Sequence, residues 1–139
     1  MIVFDTNVLS EFMRPNPSGR VREWLAEQEP SNLFTTSITV AEIWFGIQRL
    51  PDGQRKERFA EAASDLFTSF AEQVLPFDRR AAEVYARIAA RRAELGLPID
   101  GFDAQIAAIC AIHNATLATK NFKDFGNTGI SVVNPWFDS

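Results

Sequence analysis

The sequence predicts an α/β fold, a three-layer α/β/α sandwich around a central parallel sheet. Three observations predict it. The chain opens on Met1-Ile2-Val3-Phe4, an apolar run without alternation, as in strands buried on both faces. Further short apolar runs recur at Leu33 to Thr36, Val74 to Phe77, Ala115 to Thr119 and Ile130 to Asn134. Stretches of helical periodicity separate them, and strands alternating with helices imply parallel pairing through right-handed crossovers.

The first strand ends abruptly on Asp5, followed by Thr6 and Asn7. Ligands of open α/β sheets bind beyond the carboxyl ends of the strands, so Asp5 is a candidate site residue. It is equally a candidate N-cap for the helix that follows. That helix, Val8 to Met13, is broken by Pro15, Pro17 and Gly19. A second, Val21 to Glu27, buries Val21, Trp24 and Leu25. After the second strand, Ser37 or Thr39 caps a helix over Val40 to Leu50, whose apolar side carries Ile43, Trp44 and Ile47 with Glu42 among them. Pro51-Asp52-Gly53 forms a turn. Gln54 to Gln73 reads as a long amphipathic helix or helix pair, with Phe59, Ala63, Leu66, Phe67 and Phe70 on one side.

Asp78 caps the helix Arg79 to Leu95, which ends at Gly96 in the left-handed conformation with Pro98 just beyond. The helix Phe102 to His113 is apolar on nearly every side, as central buried helices are. The fourth strand runs into a polar turn, Lys120 to Phe125, and the last strand into Pro135-Trp136. No repeat, low-complexity tract or linker interrupts the chain, so residues 1–139 are expected to form one domain.

Composition narrows the chemistry. No basic segment precedes a long apolar stretch, and no run approaches a membrane span, so a cytoplasmic location is expected. The single cysteine, Cys110, excludes an internal disulfide and any multi-cysteine metal site, and its apolar surroundings mark a buried, inert thiol. The single histidine, His113, falls at the polar end of the same helix, which argues against Ser-His-Asp or Cys-His catalysis. Net charge is −4, unpromising for a nucleic-acid protein. With four clustered carboxylates set aside, however, the remaining acidic residues equal the 14 Lys plus Arg.

Four carboxylates stand where a structural role is least comfortable. Asp5 ends a strand, Glu42 interrupts an apolar helix face, Asp103 opens the most apolar helix, and Asp124 follows a strand. Carboxylates in apolar surroundings are paired, hydrogen-bonded or bound to metal. Convergence on one ion accounts for all four, and hard oxygen donors without His or Cys favour Mg²⁺, with Mn²⁺ as a substitute. Each also has an ordinary role open to it. Asp103 suits the positive end of a helix, Glu42 can pair with Arg49, and Asp124 can be a turn residue. Asp100 reads as the N-cap of the last helix, with a ligand role as the alternative. Asp52, Asp65 and Asp78 read as structural.

The chain resembles the PIN-domain toxins of the VapC type, and within them the FitB-like branch. The resemblance is carried by Ile2-Val3-Phe4-Asp5-Thr6-Asn7-Val8-Leu9-Ser10-Glu11 and Ser37-Ile38-Thr39-Val40-Ala41-Glu42-Ile43-Trp44-Phe45-Gly46. Further matches are Leu75-Pro76-Phe77-Asp78, Phe102-Asp103-Ala104-Gln105-Ile106-Ala107-Ala108, Leu117 to Phe125 and Val133-Asn134-Pro135-Trp136. It spans nearly the full length and implies a PIN-like fold and a Mg²⁺-dependent endoribonuclease acting through a metal-activated water. The acidic positions fall on Asp5, Glu42 and Asp103, with Asp124 or Asn121 as the fourth. Thr6 and Asn7 stand as support beside the first aspartate. The family often has Arg where Lys120 stands, and some FitB-like members have Asp where Asn121 stands. The resemblance also implies a type II toxin inhibiting translation and growth, a homodimer, a neutralising antitoxin, and operator DNA binding by the complex.

Lys120 and Lys123 flank the expected site and are candidates for binding RNA phosphates. Arg80, Arg87 and Arg91 form a helical stripe that Glu83 and Glu94 can pair with, an ordinary solvated face. Trp24, Trp44, Phe45 and the phenylalanines of Gln54 to Gln73 read chiefly as core, with an interface as the alternative. Two other readings compete. A phosphatase of the haloacid-dehalogenase kind needs a second aspartate where Asn7 stands, and a metal-free binding module has no use for the carboxylates.

Overall fold

The computed structural model describes residues 1–137, so residues 138 and 139 of the expected domain lie outside the described residues. The elements follow as β1 (Ile2–Phe4), α1 (Thr6–Phe12), α2 (Gly19–Ala26), β2 (Leu33–Thr36), α3 (Ser37–Gln48), α4 (Gln54–Phe70), β3 (Val74–Leu75), α5 (Arg79–Glu94), α6 (Gly101–Ile112), β4 (Thr116–Ala118) and β5 (Ser131–Val133). Short 3₁₀ turns lie at Pro30–Asn32, Ala71–Gln73 and Phe122–Phe125. The fold class is as predicted: one five-stranded sheet, entirely parallel, in the order β3-β2-β1-β4-β5.

Strand residues alternate between two cores, which is why the strands carry no polar alternation. Val3, Leu117, Leu75 and Val132 join the core under α5 and α6, built on Ile88, Ile106 and Ile109. Phe4, Ala118, Val74 and Val133 turn the other way, against Val8, Leu9, Trp24, Ile43, Ile47 and Phe70 of α1 to α4. Four helices therefore cover one face and two the other.

This division follows from the chain path. From β1 the chain steps outward to β2 and β3, then returns to place β4 on the other side of β1. Right-handed crossovers in opposite directions deposit helices on opposite faces. The reversal makes the β1/β4 junction a topological switch point, where a crevice opens beyond the strand ends. Asp5 follows β1, and Thr119, Lys120 and Asn121 follow β4, so both chains of the crevice rim are polar.

Local details depart from expectation. Helix α1 starts at Thr6, two residues earlier than Val8, because Asp5 accepts the Thr6 N–H and caps it. Helix α3 is capped by Thr36, whose hydroxyl accepts the Thr39 N–H at 3.1 Å, and neither Ser37 nor Thr39 serves. Ser37 instead receives the Phe77 N–H at 3.2 Å and Thr39 is fully buried. Residues 54–70 form one helix, not a pair. The third strand stops at Leu75, since Pro76 lacks the N–H that a ladder needs. Asp78 and Asp100 cap α5 and α6 as read from the sequence, and Gly96 has φ +72°. Cys110 is fully buried, and burial pushes its thiol far above the ordinary range.

Candidate active site

The C-terminal ends of β1 and β4 are tied together by backbone first. The Asp5 N–H donates to the Ala118 carbonyl at 3.0 Å, continuing the register that sets Phe4 opposite Ala118. Asp5, 4% exposed, is thereby held beside Thr119, and its carboxylate becomes the centre of a small network. Its Oδ2 accepts the Thr119 hydroxyl at 2.7 Å and the Asn7 amide at 3.2 Å, while Oδ1 accepts the Thr6 N–H at 2.8 Å. Asn7 also donates to the Thr119 hydroxyl oxygen at 3.2 Å, and its Oδ1 accepts the Lys120 N–H at 3.0 Å. The Asn121 N–H completes the knot at Thr119 Oγ1, 3.1 Å away. Asp5 is thus both cap and cleft residue, the two roles left open by its sequence setting.

Glu42 reaches the same place from α3. Its Oε1 accepts the Thr6 hydroxyl at 2.8 Å, and Thr6 Oγ1 lies 3.3 Å from Thr39 Oγ1. Arg49, the alternative partner of Glu42, instead stacks its guanidinium 5.4 Å from the Phe45 ring centroid. Asp103, half-buried in the first turn of α6, accepts no hydrogen bond and pairs with no cation among the described residues.

The electrostatics follow first from burial and then from this crowding of like charge. Burial raises the Asp5 carboxyl above the ordinary aspartate range, against the hydrogen bonds of Thr119, Thr6 and Asn7 that pull it down. Burial likewise raises Glu42, opposed by Thr6 and reinforced by the charges of Asp5 and Asp100. Asp103 is pushed up to about 7, first by burial and then by Asp5, Asp100, Asp124 and Glu42.

A cleft of about 570 Å³ gathers Asp5, Thr6, Asn7, Glu42, Asp103, Lys120 and Asn121 along its walls. Asp124 and Lys123 are exposed on the 3₁₀ turn and do not line it, although the Asp124 charge still acts on Asp5 and Asp103. Asp100 caps α6 by accepting the Phe102 and Asp103 N–H groups at 3.0 and 3.3 Å. Arg80, Arg87 and Arg91 are exposed on α5, where the ion pair among the described residues is Arg79 with Glu83 at 3.9 Å.

Several residues of this region carried no signal when read locally. Thr119 is fully buried and is the hub of the Asp5 network. Glu11 lines the cleft, accepts the Ser18 N–H at 2.9 Å and pairs with Arg14 at 3.2 Å. The Ser18 hydrogen bond is the main reason its carboxyl sits below the ordinary range. Trp136 lines the cleft from beyond β5. Arg92, buried, donates to the carbonyls of Leu97, Asp124 and Gly126 at 2.6, 2.9 and 2.6 Å, pinning the Asp124 turn to the end of α5. Its spacing from Ala81 and Ile88 places it on the buried stripe of α5, a signal that adjacent Arg91 obscures.

Among the described residues no three His, Cys, Asp or Glu side chains stand close enough together to hold a metal ion as they are. The donor set nevertheless fits a hard divalent cation: all oxygen, excess negative charge, and, among the described residues, no Lys or Arg in ion-pair range of Asp5, Glu42 or Asp103. The fit is of donor type and charge, with the carboxylates still apart.

Comparison with known proteins identifies the family. The family model described as PIN domain matches residues 2–129. Toxin FitB of Neisseria gonorrhoeae is 37% identical over 99% of this chain and 100% of its own length. VapC ribonuclease Y4jK of Sinorhizobium fredii is 36% identical over 98% of each. The solved structure of FitAB bound to an IR36 DNA fragment superposes with a TM-score of 0.93 at 36% identity, covering 100% of this chain and 98% of the other. With the parallel sheet, its switch-point crevice and the carboxylates gathered there, the chain belongs to the PIN-domain family, among the VapC-like toxins of the FitB-like branch.

Proposed function

We propose that this protein is the toxin of a type II toxin–antitoxin system, a Mg²⁺-dependent endoribonuclease that halts growth by cutting RNA. The observation that carries the proposal is the meeting of Asp5, Glu42 and Asp103 on one cleft, each raised above its ordinary range and none paired with a cation among the described residues. These three would hold the ion, with Asp124 or Asn121 at the fourth position. When bound, Mg²⁺ activates water and stabilises charge at the scissile phosphate.

The chain's own residues supply orientation. Thr119, Asn7 and the Thr6 N–H fix the Asp5 carboxylate, so it is presented without rotamer search. The Thr6 hydroxyl anchors Oε1 of Glu42, whose side chain lines the cleft, and so fixes a carboxylate that can accept a proton from water there. Asp103 contributes charge where the protein offers none to balance it. Lys120 holds a backbone phosphate at the cleft wall, and Lys123 stands farther out on the turn. The solved FitAB complex on a DNA fragment supports a cognate antitoxin and a joint DNA-bound complex as partners, and a homodimeric toxin is proposed beside them from the family resemblance.

Expression of wild type and Asp5→Asn in cells, followed by mapping of new RNA ends, tests the reading. Wild type is expected to arrest growth and create discrete ends that Asp5→Asn does not. Purified wild type should cleave RNA with Mg²⁺ and stop in EDTA. Undiminished cleavage by purified Asp5→Asn protein sinks the proposal.

A further inference from the structure

The cleft has a second wall that the carboxylates do not explain. Trp136 lies just past the carboxyl end of β5, on the same rim as Asp5 and Thr119 because all five strands are parallel. Its indole is half-buried against the core that contains Phe4, Val8 and Leu9, with the rest of the side chain on the cleft wall. Its N–H backbone donates to Asn134 Oδ1 at 3.0 Å, and Asn134 is itself buried. Lys120 places its ammonium 5.1 Å from the Trp136 ring centroid, within cation–π range. The Lys120 backbone is tied to Asn7 of the Asp5 network, so aromatic, cation and carboxylate form one connected frame.

Charge makes this wall necessary. The protein carries −4 and its cleft concentrates carboxylates, so long-range electrostatics repel a polyanion. Of the two basic residues on the cleft wall, Arg14 is engaged by Glu11, whereas Lys120 has no carboxylate within ion-pair distance among the described residues. Affinity must then come from short-range contacts. Aromatic stacking is suited to that, since every base presents a π-face and only an unpaired base can offer it.

We infer that Trp136 and Lys120 form a stacking-and-charge clamp for one unpaired base of the RNA and its phosphate. The clamp rests on the ribonuclease reading above, and Trp136 is the specificity-determining residue within it.

The test measures binding of a labelled single-stranded RNA decamer in Mg²⁺, using full-length Asp5→Asn protein, which does not cut and whose lost negative charge favours RNA. In that background, Trp136→Leu is expected to weaken binding about 10-fold or more, the loss of one stacked base. Trp136→Phe, which keeps a π-face, should stay within about 3-fold of the parent. Lys120→Met, at an exposed position that leaves the fold intact, should flatten the salt dependence by about 0.7 in log–log slope, one phosphate contact on a single strand. The same sequence as duplex should compete poorly. Equal binding by the Leu and Phe variants, an unchanged salt slope in Lys120→Met, or duplex competing as well as single strand each overturns the clamp while the nuclease reading stands. Failure of the Asp5→Asn parent to bind either RNA removes that reading, and the clamp with it. If Trp136→Leu does not fold, the Lys120→Met slope and the duplex competition decide.

Discussion

Asp5 and Asp103, which line the same cleft, are held in opposite ways. Asp5 is buried and fully engaged, with Thr119, Asn7 and the Thr6 N–H all donating to it. Asp103 is half-buried, receives no hydrogen bond among the described residues, and is pushed up to about 7, first by burial and then by its neighbours' charge. On the β1/β4 side the protein has satisfied its carboxylate with neutral donors and made it rigid. On the α6 side it has left charge unbalanced. The difference teaches which part of the site is built by the fold and which is left for a cation to complete.

The largest effect that can break this comparison is on stability. Asp5→Ala strips the acceptor from the Thr119 hydroxyl and the Asn7 amide in a buried setting, and is expected to cost about 1–3 kcal/mol. Asp103→Ala removes a carboxylate that burial and like charge both penalise, against a modest loss at the helix N-terminus, so its stability should equal or exceed wild type. Urea denaturation of both variants decides, and equal losses would erase the distinction. Thr119→Val comes next. It leaves the Asp5 charge in place but removes its shortest hydrogen bond, and Mg²⁺ affinity measured by calorimetry is expected to fall by roughly 10–100-fold.

A smaller effect appears with pH. Because the folded carboxyls of Asp103, Asp5 and Glu42 are raised, the folded protein retains protons that the unfolded chain has lost. Stability in EDTA should therefore be highest near the ordinary carboxylate range, fall as pH rises, and level off above about 7, where Asp103 is ionised. Thermal melts across pH should show a shallower decline in Asp103→Asn. The smallest effect belongs to Asp100→Asn. Asn caps a helix as well as Asp does, so the variant keeps α6 intact and removes one charge acting on Asp103. Its decline should end at a lower pH than that of wild type, and an unchanged profile would show that Asp100 does not load Asp103.

Some of the interface reading changes with the packing. Trp24 is buried core, and Phe59, Leu66, Phe67 and Phe70 pack on the same cluster. Phe45 remains 63% exposed, beside Phe102 at 51%. These two line an apolar groove that reaches Glu42.

Asp5, Glu42 and Asp103 were legible in the sequence because each conflicts with its own neighbours: a strand end, an apolar helix side, the head of an apolar helix. Asp124 was placed by similar logic, yet its turn leaves the side chain outside the cleft wall that Asn121 joins. Thr119 was not legible. A threonine at the end of a short strand is unremarkable until the register of β1 against β4 brings it to Asp5. Arg92 and Trp136 were hidden for a like reason, since Asp124 and Gly126 reach Arg92, and Lys120 reaches Trp136, only through the fold.

The sequence by itself determined the parallel sandwich, its order of strands and helices, the caps at Asp78 and Asp100, and the carboxylates that do not belong to a solvated surface. Those follow from periodicity and local desolvation cost, which act over a few residues. Only the tertiary structure decided that Asp5 is satisfied and Asp103 is not. Hydrogen-bond satisfaction depends on which strand ends meet, and like-charge repulsion depends on distances that the chain sets only when α3, α6 and the β1/β4 junction close on one crevice.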